Sequence, residues 1–232
     1  MTSIRLPCQP LAVIFDMDGT LLDTERVYVQ TFIETVPQFG YSLDEAFLHT
    51  LIGGSRDHFQ AGLRAKLGPE FPYDEHRVAY LARRDELLAA GVPMKPGVLE
   101  LLETVEALGL PMAVATAAMR KHAEEHLQRS GLRSRFAALV TRDDVEHSKP
   151  SPDIFLSAAQ AIGILPADCV AVEDSYNGVR AAHAAGMMVV MVPDIVPPND
   201  EMREKTVAVL DDLHALCTVL LGQSSLLGQS SP

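Results

Sequence analysis

Cysteine is scarce and unpaired in this chain. Its 232 residues include Cys8, Cys169 and Cys217, which are far apart, odd in number and without a Cys-x-x-Cys pair. That pattern argues against a disulfide framework and fits unpaired thiols in a reducing compartment. Cys169 lies within an apolar run and reads as a small core residue. Basic excess is also missing. Nineteen Lys and Arg stand against 31 Asp and Glu, a net charge of -12. Neither nucleic acid nor an anionic membrane surface is therefore the expected partner. A phosphorylated ligand would be repelled at long range, so any phosphate site needs local cations or a metal. No window is long and apolar enough to span a bilayer. The N-terminus carries Arg5 but no long apolar stretch of the signal-peptide kind, and a cytoplasmic location is expected. What remains is an ordinary globular composition, 47% hydrophobic and 22% charged. The length can bury a large core in one domain or two.

Short apolar runs at 11–15, 111–115, 137–141, 169–172 and 188–192 read as fully buried strands. Helix-like stretches at 120–131, 153–163 and 177–186 lie between the later ones, each closing on a glycine. Alternating strand and helix indicates a parallel sheet covered by helices. Ligands of such sheets bind at the C-terminal strand ends, near the switch in strand order. From about residue 25 to about residue 90 the rhythm breaks. Val29, Phe32, Ile33, Val36, Phe47, Leu51, Phe59, Leu63, Leu67, Val78 and Leu81 are spaced as in helices, and no strand pattern appears. This predicts a helical insertion, with Pro93, Pro96 and Gly97 marking the return to the sheet. Near the C-terminus, Leu-Leu-Gly-Gln-Ser-Ser occurs twice across residues 220–231. Two copies cannot build a solenoid, and a disordered tail is expected there.

The chemistry concentrates where the runs end. Val13-Ile14-Phe15 halts on Asp16-Met17-Asp18-Gly19-Thr20. Residues two apart in an extended chain face the same side, so Asp16 and Asp18 can converge, and Gly19 permits a sharp turn. Two close carboxylates need a cation between them or a proton on one of them. An EF-hand would need Glu at the twelfth position, which is Val27 when Asp16 is the first. After 111–115 comes Thr116, with Ala117 and Ala118 behind it. A hydroxyl followed by small residues lets backbone N–H groups approach an oxyanion, or caps the following helix. After 137–141 a polar loop ends in Lys149, whose backbone is stiffened by Pro150 and Pro152. After 169–172 come Glu173-Asp174-Ser175. Two carboxylate pairs at parallel strand ends would set four around one crevice. That crowd requires a divalent cation, most simply magnesium, since every ligand is a hard oxygen. His122 and His126 read as a solvated helix face, because Ala123 stands where a zinc protease needs Glu.

Asp16-Met17-Asp18-Gly19-Thr20-Leu21-Leu22-Asp23, Thr116, Lys149-Pro150 and Glu173-Asp174-Ser175, in this order, resemble the haloacid dehalogenase superfamily of aspartate-nucleophile phosphohydrolases. The resemblance covers about residues 11–193. It is to the branch of β-phosphoglucomutase-like and phosphoglycolate-phosphatase-like members with a helical cap. It implies an α/β fold, a Rossmann-like doubly wound parallel sheet core with an inserted α-helical cap domain. Residues 1–23 and 92–222 would form the core, 24–91 the cap and 223–232 the tail. By the same resemblance Asp16 would be the nucleophile and a Mg2+ ligand. Asp18 would be the acid–base, touching the metal through its carbonyl. Thr116 would hydrogen-bond the phosphoryl group and Lys149 would neutralise charge. Asp174 would bind the metal, with Glu173 beside it. Gly54, Ser55 and Arg56 resemble the branch's substrate-facing cap loop, and Ala117 could contribute only its backbone. The implied activity is Mg2+-dependent hydrolysis of a small phosphorylated metabolite, a sugar or polyol phosphate, by a monomer. The alternatives are a phosphosugar mutase and a non-catalytic binding protein. Asp18 disfavours dehalogenase and phosphonate chemistry. Tyr28 stands where the mutases carry a cap histidine, and Met119 and Arg120 stand where they carry a lysine.

Overall fold

The computed structural model describes residues 4–51 and 56–224. The chain forms two compact units, Met1–Leu22 with Met94–Pro232, and Asp23–Pro93.

The first unit is a six-stranded parallel sheet. Its strands are β1 (Ala12–Phe15), β2 (Met112–Thr116), β3 (Ala138–Thr141), β4 (Cys169–Glu173), β5 (Met188–Met191) and β6 (Ala208–Val209). Their order is β3-β2-β1-β4-β5-β6. This is the doubly wound arrangement, with the order reversing beside β1. Every strand residue from β1 through β5 is buried except Ala138, which is half-buried. Burial on both faces explains why these strands read as continuous apolar runs and not as alternating ones. Ala12 and Ile14 of β1, Ala113 and Ala115 of β2, Ala171 of β4 and Val189 of β5 share one core. Ile154, Phe155, Ala158, Val179, Ala181 and Ala182 belong to it as well. Those last six come from helices α7 (Asp153–Ile162) and α8 (Tyr176–Ala184). The alternate strand residues Val13, Phe15, Val114, Val172 and Val190 are equally buried. So are Leu101, Leu102 and Val105 of α5 (Val98–Ala107) and Leu216 and Leu220 of α10 (Leu213–Ser224). Helices α6 (Arg120–Arg129) and α9 (Asp200–Lys205) complete this unit. The expected strands and the three expected helices are all present to within two residues at either end.

Three features of this unit differ from the sequence reading. The edge strand β6 has two residues, too short to register as a run. His122 and His126 stack at 6.4 Å between ring centroids, and His126 is buried, so α6 does not present a purely solvated histidine face. The C-terminal helix α10 continues to Ser224. Gln223 Nε2 there donates to the Leu6 carbonyl at 3.1 Å and the Cys8 carbonyl at 3.3 Å, tying the two chain ends together. The segment from residue 225 lies outside the described residues.

The second unit is helical: α1 (Thr24–Thr35), α2 (Glu45–Leu51), α3 (Arg56–Leu67) and α4 (Tyr73–Ala90). Val29, Phe32, Val36, Leu51 and Leu63 are buried as their spacing implies. Val78 is 70% exposed, against expectation, and α4 buries His76 and Leu88 instead. The His76 ring lies 4.5 Å from Phe32, 5.2 Å from Phe71 and 5.6 Å from Phe39, centroid to centroid. Its Nε2 is 3.0 Å from Thr35 Oγ1. That hydroxyl also lies within hydrogen-bond reach of the Thr31 carbonyl at 2.8 Å, so the buried ring nitrogen has a polar partner tied to the helix backbone.

Candidate active site

The C-terminal ends of β1 and β4 lie side by side, with Phe15 paired to Val172. The residues that follow each strand are therefore neighbours. The Asp16 N–H donates to the Val172 carbonyl at 2.9 Å, extending the ladder by one residue. Past it the chain turns through Gly19, at φ 83°. The Gly19 N–H returns to the Leu22 carbonyl at 2.8 Å, closing a tight loop that carries Asp18. The Lys95 N–H holds this loop from outside by donating to the Leu21 carbonyl at 3.0 Å. A Cβ on residue 19 would fall 2.4 Å from Asp174 Oδ2, so close approach as well as backbone conformation requires glycine there.

Lys149 joins the strand ends. Its Nζ donates to Asp16 Oδ1 in a very short contact and to Glu173 Oε1 at 2.6 Å. It lies 5.0 Å from the centroid of the Phe155 ring, which sits at the start of α7. The Lys149 side chain is 5% exposed and that of Glu173 is fully buried. Burial alone would lower the Lys149 pKa, but the charges of Asp16 and Glu173 outweigh it and the ammonium is held above its usual range. Burial drives the Asp16 carboxyl well above the ordinary carboxylate range. The charges of Glu173 and Asp18 add to that rise, and Lys149 opposes it.

Glu173 is locked on both oxygens. Oε2 accepts from the Asp174 N–H at 3.1 Å, the Ser175 N–H at 3.1 Å and Ser175 Oγ at 3.0 Å, while Oε1 takes Lys149. Ser175 is the N-cap of α8, where its Oγ also accepts from the Gly178 N–H at 3.1 Å. Asp174 Oδ1 accepts from Thr20 Oγ1 at 3.2 Å, so the hydroxyl that closes the first motif orients the acid of the last.

The donor set fits a hard divalent cation. Oxygens of Asp16, Glu173 and Asp174 all lie within 4.8 Å of one another. Lys149 donates to two of these acids, Asp16 and Glu173. Burial, and after it the charges of Glu173 and Asp18, push the Asp16 carboxyl upward, and a cation among these oxygens would oppose that rise.

Thr116 ends β2 and is buried. Its Oγ1 accepts from the Ala118 N–H at 3.1 Å, which leaves its own proton to donate. It does not cap α6. Asp143 does so from the next loop, its Oδ2 accepting from the Arg120 N–H at 2.9 Å. Ala117 is exposed at the same strand end. Arg120 donates to Asp144 Oδ2 and to the Leu139 carbonyl. The structure thus brings together Asp16, Lys149, Glu173 and Asp174, with Asp18 close enough for its charge to act on Asp16. Gly54, Ser55 and the Arg56 side chain lie outside the described residues. Sequence reasoning gave no role to Thr20, Ser175 or Gly178. An isolated glycine inside a helical pattern was the available signal for the last of these.

A model of the haloacid dehalogenase-like hydrolase family matches residues 13–192, from β1 through β5. The chain belongs to this family. Members similar to it include fructose-1-phosphate phosphatase YqaB of Escherichia coli, 37% identical over 178 residues, or 75% of this chain and 92% of that protein. Hexitol phosphatase B of the same organism is 33% identical over 198 residues, covering 84% and 88%. Among solved structures, a HAD family hydrolase of Deinococcus radiodurans with bound phosphate and sodium superposes with a TM-score of 0.82 at 27% identity. That superposition covers 94% of this chain and 97% of the other. The family match spans both strand ends that carry the acids.

Proposed function

We propose that this chain is a magnesium-dependent phosphatase that hydrolyses a small phosphorylated sugar or polyol through an aspartyl-phosphate on Asp16. The observation that carries the reading is Lys149 held between Asp16 and Glu173 at adjacent strand ends. The family and the names of the phosphatases similar to this chain support it.

Asp16, Asp174 and the Asp18 carbonyl would hold the metal, with Glu173 beside them. When bound, it supplies positive charge against the phosphoryl oxygens and the nucleophile. An Asp16 carboxylate oxygen attacks phosphorus and the bond to the substrate's ester oxygen breaks. The Asp18 carboxyl gives its proton to that leaving oxygen, and the free alcohol departs. Asp18, now a carboxylate, takes a proton from water as the water oxygen attacks the same phosphorus. The bond to Asp16 breaks, inorganic phosphate forms and both acids return to their starting states. Lys149 and the Thr116 hydroxyl stabilise charge on the transferring group throughout.

Hydrolysis is favoured over phosphoryl migration within a sugar because Arg120 is tied to Asp144 and the Leu139 carbonyl. It does not stand in for the lysine of the mutases. Residues 24–91 serve in this reading as a cap that gates substrate and water. Gly54, Ser55 and Arg56 of the cap contact the substrate's distal end, and Ala117 donates its backbone N–H. Free Cys8, Cys169 and Cys217 suit a reducing compartment such as the cytoplasm, and the protein acts in this reading as a monomer. The test is phosphate release from a panel of phosphorylated metabolites with Mg2+, for wild type and Asp16→Asn. Release that falls by about 10³-fold or more in the variant supports the reading. No release from any substrate, or equal release by both proteins, overturns it.

A further inference from the structure

We propose that Gly178 is a positioning residue for Lys149, acting through Glu173, and that its missing side chain is what the site requires at this place. The proposal rests on reading Lys149 as the charge-neutralising group of the hydrolytic site. Gly178 is the third residue of α8, and its φ is not among the positive values of this chain. The backbone there is ordinary helix, which alanine adopts more readily than glycine. Conformation therefore gives no reason for glycine. Packing does. A Cβ on residue 178 would lie 1.7 Å from Glu173 Oε1, 1.9 Å from Glu173 Cδ and 2.2 Å from Oε2. The carboxylate lies flat against the bare Cα.

The carboxylate has nowhere to retreat. Three donors from residues 174 and 175 hold Oε2, and Lys149 holds Oε1 at 2.6 Å. Glu173 is fully buried, so no solvent-filled space lies behind it. A methyl group at 178 forces Glu173 to give up part of this set. Losing Oε1 frees the Lys149 ammonium from one of its two carboxylates and leaves Asp16, the group it must share with the phosphoryl oxygens, to hold it without Glu173. The Gly178 N–H meanwhile anchors Ser175 Oγ, which itself donates to Glu173 Oε2. One residue thus shapes the acid by its absent side chain and steadies it through its backbone.

The experiment is a double-mutant cycle with a structural readout. Gly178→Ala is expected to lower kcat/KM for the best phosphorylated substrate by about 10- to 100-fold, the range for losing a hydrogen bond between charged groups. Its crystal structure should show the Lys149–Glu173 contact broken. In a Glu173→Ala background the same change should cost less than about twofold and raise Tm by about 2 °C, because the helix gains a better former and nothing remains to clash. Gly222→Ala in α10, where a new Cβ meets nothing within 4 Å, is the control and should leave turnover unchanged. Full activity in Gly178→Ala, or an equal penalty with and without Glu173, overturns the proposal. Should Gly178→Ala fail to fold, the double variant decides. A Tm at or above that of Glu173→Ala supports the proposal and a lower one refutes it. If wild type hydrolyses no phosphate ester, the functional reading fails, while the crystal structure still decides whether Gly178 sets the Lys149–Glu173 contact.

Discussion

Acidification should weaken the helical unit through one side chain, His76, and the size of the effect follows from where that side chain sits. The ring is 1% exposed, surrounded by Phe32, Phe39 and Phe71, and bonded to the Thr35 hydroxyl. Burial lowers its pKa from 6.5 to about 4. The native state holds the neutral ring, so between pH 6.5 and about 4 the unfolded chain binds a proton that the folded one refuses. Stability from this group is complete above pH 6.5 and is lost as pH falls through that window. The loss is about 1.4 kcal/mol per pH unit and about 3 kcal/mol in total, complete below about pH 4. Carboxylates titrate over part of the same range, so the comparison is with His76→Phe, which keeps the aromatic packing and cannot be protonated. The Thr35 hydroxyl keeps its bond to the Thr31 carbonyl in that variant. Urea unfolding followed by far-UV circular dichroism from pH 7.5 to pH 4 should show the variant gaining about 3 kcal/mol on wild type as pH drops. A ring signal that titrates near 6.5 in the NMR spectrum, or a wild-type minus variant difference that stays flat with pH, would refute the reasoning.

Three further outcomes are expected. Lys149→Met should reduce kcat/KM by about 10²- to 10³-fold in a steady-state phosphate assay, since it removes a preorganised charge from the transferring group. Lys95→Met should destabilise the sheet unit by about 3 kcal/mol in urea denaturation. It strands Asp194, whose side chain is 5% exposed and whose Oδ1 takes Lys95 at 2.6 Å. Lys95→Met combined with Asp194→Leu should recover most of that loss. Arg56→Ala should raise KM for a substrate with an anionic tail more than for one with a neutral tail, an effect read from paired Michaelis–Menten curves.

Much of the sheet was legible in the sequence because β1 through β5 are covered on both faces. Strands in that setting are written as uninterrupted runs such as Val13-Ile14-Phe15 and Val170-Ala171-Val172, with their polar residues pushed to the ends. The same rule located Asp16, Thr116, Glu173 and Asp174, since residues after parallel strands gather at one edge. Lys149 was harder. It follows β3 by eight residues, and only Asp16 and Glu173 folded around it explain its burial. The helical unit was legible as helices and only in part as a core: Val29, Phe32, Val36, Leu51 and Leu63 are buried as their spacing implies. Periodicity placed Val78 inside and had no means of placing His76 there, because a histidine becomes a core residue only when a partner such as Thr35 satisfies it. Gly178 was hidden for a related reason. Its contact with Glu173 crosses a strand end, a cap and a helical turn, and no local pattern reports the space that a Cβ would have filled.

The central claim is that Asp16 becomes phosphorylated during turnover. It is tested most directly by acid-quenching the enzyme during steady-state hydrolysis with Mg2+ and mapping its peptides by mass spectrometry. The account predicts an acid-stable phosphoryl group on Asp16 that appears with substrate, decays when substrate is exhausted and is absent from Asp16→Asn. Sustained hydrolysis with Asp16 unmodified throughout, or with the phosphoryl group on another residue, would contradict it.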